Sequence, residues 1–346
     1  MRRLPTRRKF VTIAAAATGL GLLPFGVSRG DEHPSLIEWQ GICLGGVATI
    51  RLYHPDRAAG TLLLERVIVE ARRLETIFTL YDSSSVLCDL NKRGVLVAPP
   101  PELVDVLNQC DHAWHLTGGV FDPTVQPLWI CYCEHFTAHA GVSAPPPAEK
   151  LDRALRLVGW SKVQANRDRI TLEKPGMALT LNGIAQGYIT DRVVDLLREA
   201  GLESCLIDMG EIRTLGARPN GEPWHAALQG PPNDERKAMT IDIVNKAVAT
   251  SAAYGFQFDR SGACNHIFNP VTGRCADPSR ALSVVSDTAA FADSLSTAFA
   301  LMDNAHILDV LKHASGTRAF ISTAAGSFEL KSSTNQDFGS TPRSPT

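Results

Sequence analysis

The run Leu181-Asn182-Gly183-Ile184-Ala185-Gln186-Gly187-Tyr188 constrains this chain more than any other segment. Gly183 and Gly187 flank the start of a helix that apolar spacing carries from Ile184 to Ala200, where Gly201 stops it. A glycine-rich turn entering a helix lets backbone N–H groups and the helix dipole meet an anion. A plain glycine-capped loop has the same pattern, so the turn needs partners elsewhere. Short β-like runs surround it, at 162–165, 169–173 and 178–181 before it and at 206–209, 212–215, 224–228, 239–243 and 247–250 after it. Further strands are expected at 45–53, 281–285 and 318–322. Helical spacing covers 57–79, 101–117, 289–302 and 305–313, with a short helix through Asn91 capped from the Tyr81–Ser85 segment. Strands and helices mix without regular βαβ alternation, and no internal repeat interrupts them. That favours an α+β fold with largely antiparallel sheet.

The chain has 346 residues and is 44% hydrophobic, enough for a large core. A formal charge of −2 gives no basic surface for nucleic acid. The first thirty residues read as a targeting segment, outside the fold. Thr6-Arg7-Arg8-Lys9-Phe10-Val11 has the form of a twin-arginine export motif, and a small-residue apolar stretch runs from Val11 to about Leu23. That stretch is too short for a stable membrane span. A plain secretory signal or an uncleaved anchor is the alternative. No cysteine follows the apolar run, which argues against a lipoprotein; cleavage is expected near Ser28 and the destination is a periplasm. The expected organisation is thus a signal over 1–30, one domain over 36–330 and a disordered Ser/Thr/Asn/Pro tail over 331–346. Eight cysteines, Cys43, Cys88, Cys110, Cys131, Cys133, Cys205, Cys264 and Cys275, read mostly as buried thiols, with room for one bridge.

On the expected helix at 289–302, Asp293, Ser296 and Thr297 share a face. A carboxylate with two hydroxyls suits a hard cation such as Mg²⁺, completed by phosphate and water. An ordinary polar helix face is the competing reading. In Gly119-Val120-Phe121-Asp122-Pro123-Thr124, the Asp-Pro pair forces an extended residue and then a turn, presenting Asp122 to a ligand or merely capping at Thr124. His266, within His266-Ile267-Phe268-Asn269-Pro270, has the pKa range for proton transfer, although a lone histidine is more often structural. The segment Cys131-Tyr132-Cys133-Glu134-His135-Phe136-Thr137-Ala138-His139 packs thiols and imidazoles closely enough to hold Zn²⁺ or copper, or to be a surface helix or a local thiol pair.

Taken together and in order, these blocks resemble the ApbE-type flavin transferases, which split FAD and attach its FMN half to a threonine of another protein. The resemblance covers nearly all of 42–330. It implies a two-lobed mixed fold with largely antiparallel sheets and flanking helices. It also implies Mg²⁺ on Asp293, Thr297, Ser296 and the Gly183 carbonyl. The FAD contacts it implies are Leu44, Tyr81, Val120, Phe121, Asp122, Thr180, Gln186, His266 and Ile267, with His266 or Asp293 taking the acceptor's proton. Asp208-Met209-Gly210-Glu211 and Trp224 read as scaffold and cleft walls. The sequence departs from the family at Gln186, where many relatives are basic, at Thr180, where an acidic residue is common nearby, and at Leu44-Gly45-Gly46, which replaces Met-Gly-Thr. The implied partner is a periplasmic electron-transport protein carrying a Ser/Gly-Ala-Thr-type motif. Rival readings are an FAD pyrophosphatase giving FMN and AMP, and an FAD-binding accessory protein for maturation of a respiratory enzyme.

Overall fold

The structure is a computed structural model that describes residues 34–139, 141–228 and 239–331. The expected export signal and all but the first residue of the expected tail lie outside the described residues. The chain runs β1 (Ser35–Cys43), β2 (Gly46–His54), α1 (Arg57–Phe78), α2 (Val86–Arg93), β3 (Val95–Val97), α3 (Pro101–Leu116), α4 (Gln126–Ala138) and α5 (Ala148–Leu155). It continues through β4 (Val163–Ala165), β5 (Arg169–Leu172), α6 (Ala185–Glu199), β6 (Cys205–Asp208), β7 (Ile212–Leu215), β8 (Trp224–Ala227), β9 (Thr240–Ile243) and β10 (Ala247–Ala252). It closes with β11 (Arg280–Ser286), α7 (Ala289–Phe299), α8 (Asn304–His313), β12 (Arg318–Thr323) and β13 (Gly326–Leu330).

Among the described residues, the centre is an eight-stranded sheet in the order β1-β2-β6-β7-β10-β11-β12-β13. Every pairing in it is antiparallel, which meets the expected class. A three-stranded sheet β3-β5-β4 and the hairpin β8-β9 stand apart from it. β1 and β2 pair along their whole length, down to Cys43 opposite Gly46. The two residues between them, Leu44 at φ +47° and Gly45 at φ +85°, both adopt the left-handed region. That is the turn whose twist matches a tight hairpin; glycine adopts it freely and Leu44 under strain. The Leu44 amide is tied down, donating to Glu75 Oε1 at 3.0 Å.

α1 begins at Asp56, whose carboxylate accepts from the Ala58 and Ala59 amides. Its buried stripe, Leu64, Val67, Ala71, Leu74 and Phe78, recurs every three or four residues and faces the core. α6 and α7 pack against each other, and α7 also lies on β10 and β11. α7 is buried on nearly every side, including Asp293, Ser294 and Ser296. Residues 178–181 were expected to form a strand, and instead they follow no ladder. The Asn91 side chain takes the place of a strand partner, donating to the Leu179 carbonyl at 2.8 Å and accepting from its amide at 2.7 Å. No helix among the described residues is long and apolar enough to cross a membrane.

Candidate functional site

The centre of the site is the contact between the glycine turn and α7. A Cβ on Gly187 would drive into the Ala289 carbonyl, so only glycine lets the two helix backbones touch here. One turn further along α6, Asp191 accepts from the Ala289 amide at 2.7 Å and the Ala290 amide at 2.9 Å. The N-terminus of α7 is therefore capped from another helix, and its own Thr288 side chain makes no cap. Asp191 also receives Arg213 of β7 at 2.8 Å in a buried ion pair. Burial raises the Asp191 pKa, against the pull of Arg213 and the two amides.

This clamp sets the height of α7 and hence of its polar face. Asp293 is 4% exposed, and its Oδ2 accepts from the Gly187 amide at 3.4 Å. Burial pushes its pKa up to about 8, with the Gly187 amide pulling down and Asp191 adding to the rise. Ser296 Oγ lies 2.8 Å from Ser251 Oγ of β10, and Ser251 Oγ lies 3.2 Å from Thr297 Oγ1. A Cβ on Gly183 would sit 2.8 Å from Thr297 Oγ1. The structure thus brings Gly183, Asp293, Ser296 and Thr297 together, although Gly183 and Asp293 stand on separate elements.

Gln186 fills the space between two further turns. A Cβ on Gly210 would meet its side chain at 2.5 Å, and one on Gly46 would meet Nε2 at 3.0 Å. The Leu44-Gly45-Gly46 hairpin and the Asp208–Glu211 turn therefore border the same helix start. Glu211 is 7% exposed and its Oε2 has no hydrogen-bond partner. Burial raises its pKa well above the usual range, with Asp293 and Asp208 adding to the rise and a bond from the Thr250 amide opposing it.

Of the remaining expected residues, Tyr81 and Thr180 adjoin the turn. Tyr81, 47% exposed, bonds through its side chain to Asn182. The Thr180 amide donates to the Pro123 carbonyl at 2.8 Å, which ties the Gly119–Thr124 block to the same segment. Asp122 is buried and uses both carboxylate oxygens within the protein. Oδ1 accepts from the Thr124 amide at 2.8 Å and its hydroxyl at 2.5 Å, while Oδ2 accepts from the Trp160 amide at 3.0 Å. Burial raises its pKa and those bonds lower it. Phe121 is core, and Val120 packs against the core edge. His266 is partly exposed on a loop beside the segment that follows β10. Its Nδ1 lies 3.1 Å from the Phe256 carbonyl, which can only accept, so Nδ1 carries the proton and Nε2 is left with the lone pair. Burial lowers its pKa, and the carbonyl bond opposes that shift. Ile267 is buried behind it.

The Cys131–His139 segment forms the last turns of helix α4 and the residue that follows it. His135 Nε2 bonds to the Ala144 carbonyl and His139 Nδ1 to the His135 carbonyl, each at 3.0 Å. Among the described residues, no group of three or more His, Cys, Asp or Glu is placed to hold a metal ion, here or elsewhere. All eight cysteines are free thiols. A cleft of about 510 Å³ opens between α3, α6 and the start of α7, lined among others by Asp105, His112, Arg192 and Phe291. None of the expected site residues lines it.

The Gly183–Asp293 centre groups oxygen-bearing side chains, one carboxylate and two hydroxyls, against the backbone of the Gly183 turn. That set suits a hard divalent cation. The unpartnered buried Glu211 oxygen beside it fits a place where positive charge is bound.

Fold and site together define a mixed α+β protein whose buried, oxygen-rich centre lies between two packed helices and an antiparallel sheet. Residues 44–321 match the ApbE family. Relatives include the FAD:protein FMN transferase of Chlamydia pneumoniae, 26% identical over 67% of this chain and 74% of that one. Another is the FAD:protein FMN transferase of Klebsiella pneumoniae, 29% identical over 68% of this chain and 72% of that one. Among solved structures, the flavin transferase ApbE from Vibrio cholerae superposes with a TM-score of 0.74 at 23% identity, covering 87% of this chain and 98% of that one. The chain belongs to the ApbE family. The assignment drawn from the sequence blocks, to that family and its class of enzyme, is met.

Proposed function

We propose that this chain transfers FMN from FAD to a threonine hydroxyl of an acceptor protein, with Mg²⁺, and releases AMP. The observation that carries the reading is the convergence of Gly183, Asp293, Ser296 and Thr297, in a chain whose relatives are named for this transfer. In the reaction, the acceptor oxygen forms a bond to the FMN phosphorus, the phosphoanhydride bond breaks, and AMP carries away the electron pair. Mg²⁺, when bound, neutralises the phosphate oxygens as that bond breaks.

The chain's own part is positioning and proton handling. Asp191 and Gly187 hold α7 against the glycine turn, so that the Thr297 hydroxyl meets the turn at Gly183 while Ser251 links it to Ser296. Asp293 is the one carboxylate of the expected cation ligands, and a dication beside it would hold it ionised. Of the two candidate bases, His266 suits proton removal better. Its tautomer leaves Nε2 free, and burial keeps the ring neutral at neutral pH. The acceptor belongs to a periplasmic electron-transport system and carries a Ser/Gly-Ala-Thr-type motif, and this chain reaches it by twin-arginine export.

Incubation with FAD, Mg²⁺ and an acceptor domain, read as fluorescent protein on a denaturing gel, tests the reading. Covalent flavin is the expected result, and it should vanish in Asp293→Ala. Free FMN and AMP without labelled protein would make the chain a pyrophosphatase. Intact bound FAD would make it a flavin-binding accessory. Either of those outcomes overturns the transfer.

A further inference from the structure

Glu211 is the buried carboxyl that the reading above leaves without a task. It precedes β7, 7% exposed, with Oε2 unpartnered, and it accepts one bond from the Thr250 amide. Three contacts locate it. Its carbonyl accepts from Thr190 Oγ1 at 3.4 Å, one turn along α6 from the Gly187 amide that bonds Asp293. Its carboxylate meets β10 at Thr250, the residue before Ser251, whose hydroxyl touches Ser296 and Thr297. The Gln186 side chain covers Gly210 beside it. Glu211 and Asp293 therefore approach the same first turns of α6 from the sheet side and the helix side.

A purely structural carboxyl at such depth normally satisfies both oxygens, because a buried acceptor left unmet keeps its full desolvation penalty. A dication normally collects more than one negative ligand, because desolvating it beside a single carboxylate is unfavourable. We propose that Glu211 is a second carboxylate of the divalent-cation site at Asp293, presenting Oε2 from the β7 side. This rests on the Mg²⁺ reading above. It adds a residue that belongs to none of the four expected cation ligands, and it makes the site a two-carboxylate one.

The test is Mn²⁺ binding to flavin-free protein, followed by electron paramagnetic resonance and calorimetry. Wild type, Glu211→Gln, Glu211→Asp and Asp293→Ala are compared, with thermal melts in EDTA as the fold control. Glu211→Gln keeps shape and removes charge. It should weaken Mn²⁺ binding by about 10–100-fold while the metal-free melt stays near wild type. Glu211→Asp, which keeps the charge on a shorter arm, should fall between the two. If Gln does not fold, the Asp variant alone carries the test through its own fall in affinity. Wild-type affinity in Glu211→Gln, or in Glu211→Asp where Gln does not fold, overturns the proposal while leaving the Asp293 site standing. Wild-type protein that takes up no Mn²⁺ removes the parent reading and this one with it.

Discussion

Replacing Asp191 by Asn tests the clamp that sets α7. The side chain keeps its shape and one acceptor oxygen, but loses the charge. Two amides, those of Ala289 and Ala290, then compete for one acceptor, and an amide NH₂ faces a donor. Arg213, 7% exposed, is left with Asp195 at 3.5 Å. Breaking a buried ion pair typically costs about 3–5 kcal/mol. A lost buried acceptor costs about 1–3 kcal/mol, and the two effects overlap rather than add. Because burial already lifts the Asp191 pKa, the low end is expected: about 3 kcal/mol. Equilibrium urea unfolding measures it, with the midpoint falling at constant slope. The double variant Asp191→Asn/Arg213→Met should cost less than the single one, because no cation is stranded. A loss below about 1 kcal/mol in Asp191→Asn would mean that the carboxyl is protonated and that the amides alone hold the helix. In that case the ion pair has no part in positioning Asp293.

Further outcomes follow from contacts described above. Gly187→Ala forces a Cβ into the Ala289 carbonyl, so α6 and α7 must separate, at about 1–3 kcal/mol in urea unfolding. Asn91→Ala strips the Leu179 amide and carbonyl of their partners, which at a fully buried residue should cost about 2–4 kcal/mol, with proteolysis appearing near 178–181. His266 has a lowered pKa, so the unfolded chain takes up its proton first as pH falls, and stability from this group is lost below the ordinary imidazole value of 6.5. For the same reason kcat/KM should hold constant down through that value and fall only below it; a fall centred above 6.5 would remove His266 as the base.

Periodicity and caps made the long helices legible. Asp56 before the stripe of α1, proline in the first turn of α3, and glycine after α6 each state a boundary locally. β1 pairs fully with β2 but shows no clear hydropathy alternation, because Ser35 and Gly41 take inward positions while the apolar Leu36 and Ile42 are exposed. α4 is harder to read, because apolar residues such as Trp129, Ile130 and Cys133 also lie off its buried Leu128–Tyr132–His135 face and blur the stripe. The site divides along the same line. Gly183, Asp293, Ser296 and Thr297 lie in two short blocks whose spacing already hints at a turn and a helix face. Asp191 lies in an ordinary helical stretch, and its partners Ala289 and Ala290 are 98 and 99 residues away. Glu211 reads from its sequence block as scaffold and cleft wall, and only the assembled fold, which buries it next to Thr250, leaves one of its oxygens without a hydrogen-bond partner. A residue whose role is to hold another element in place leaves no local signature. Its contribution depends on a distance that only the assembled fold sets.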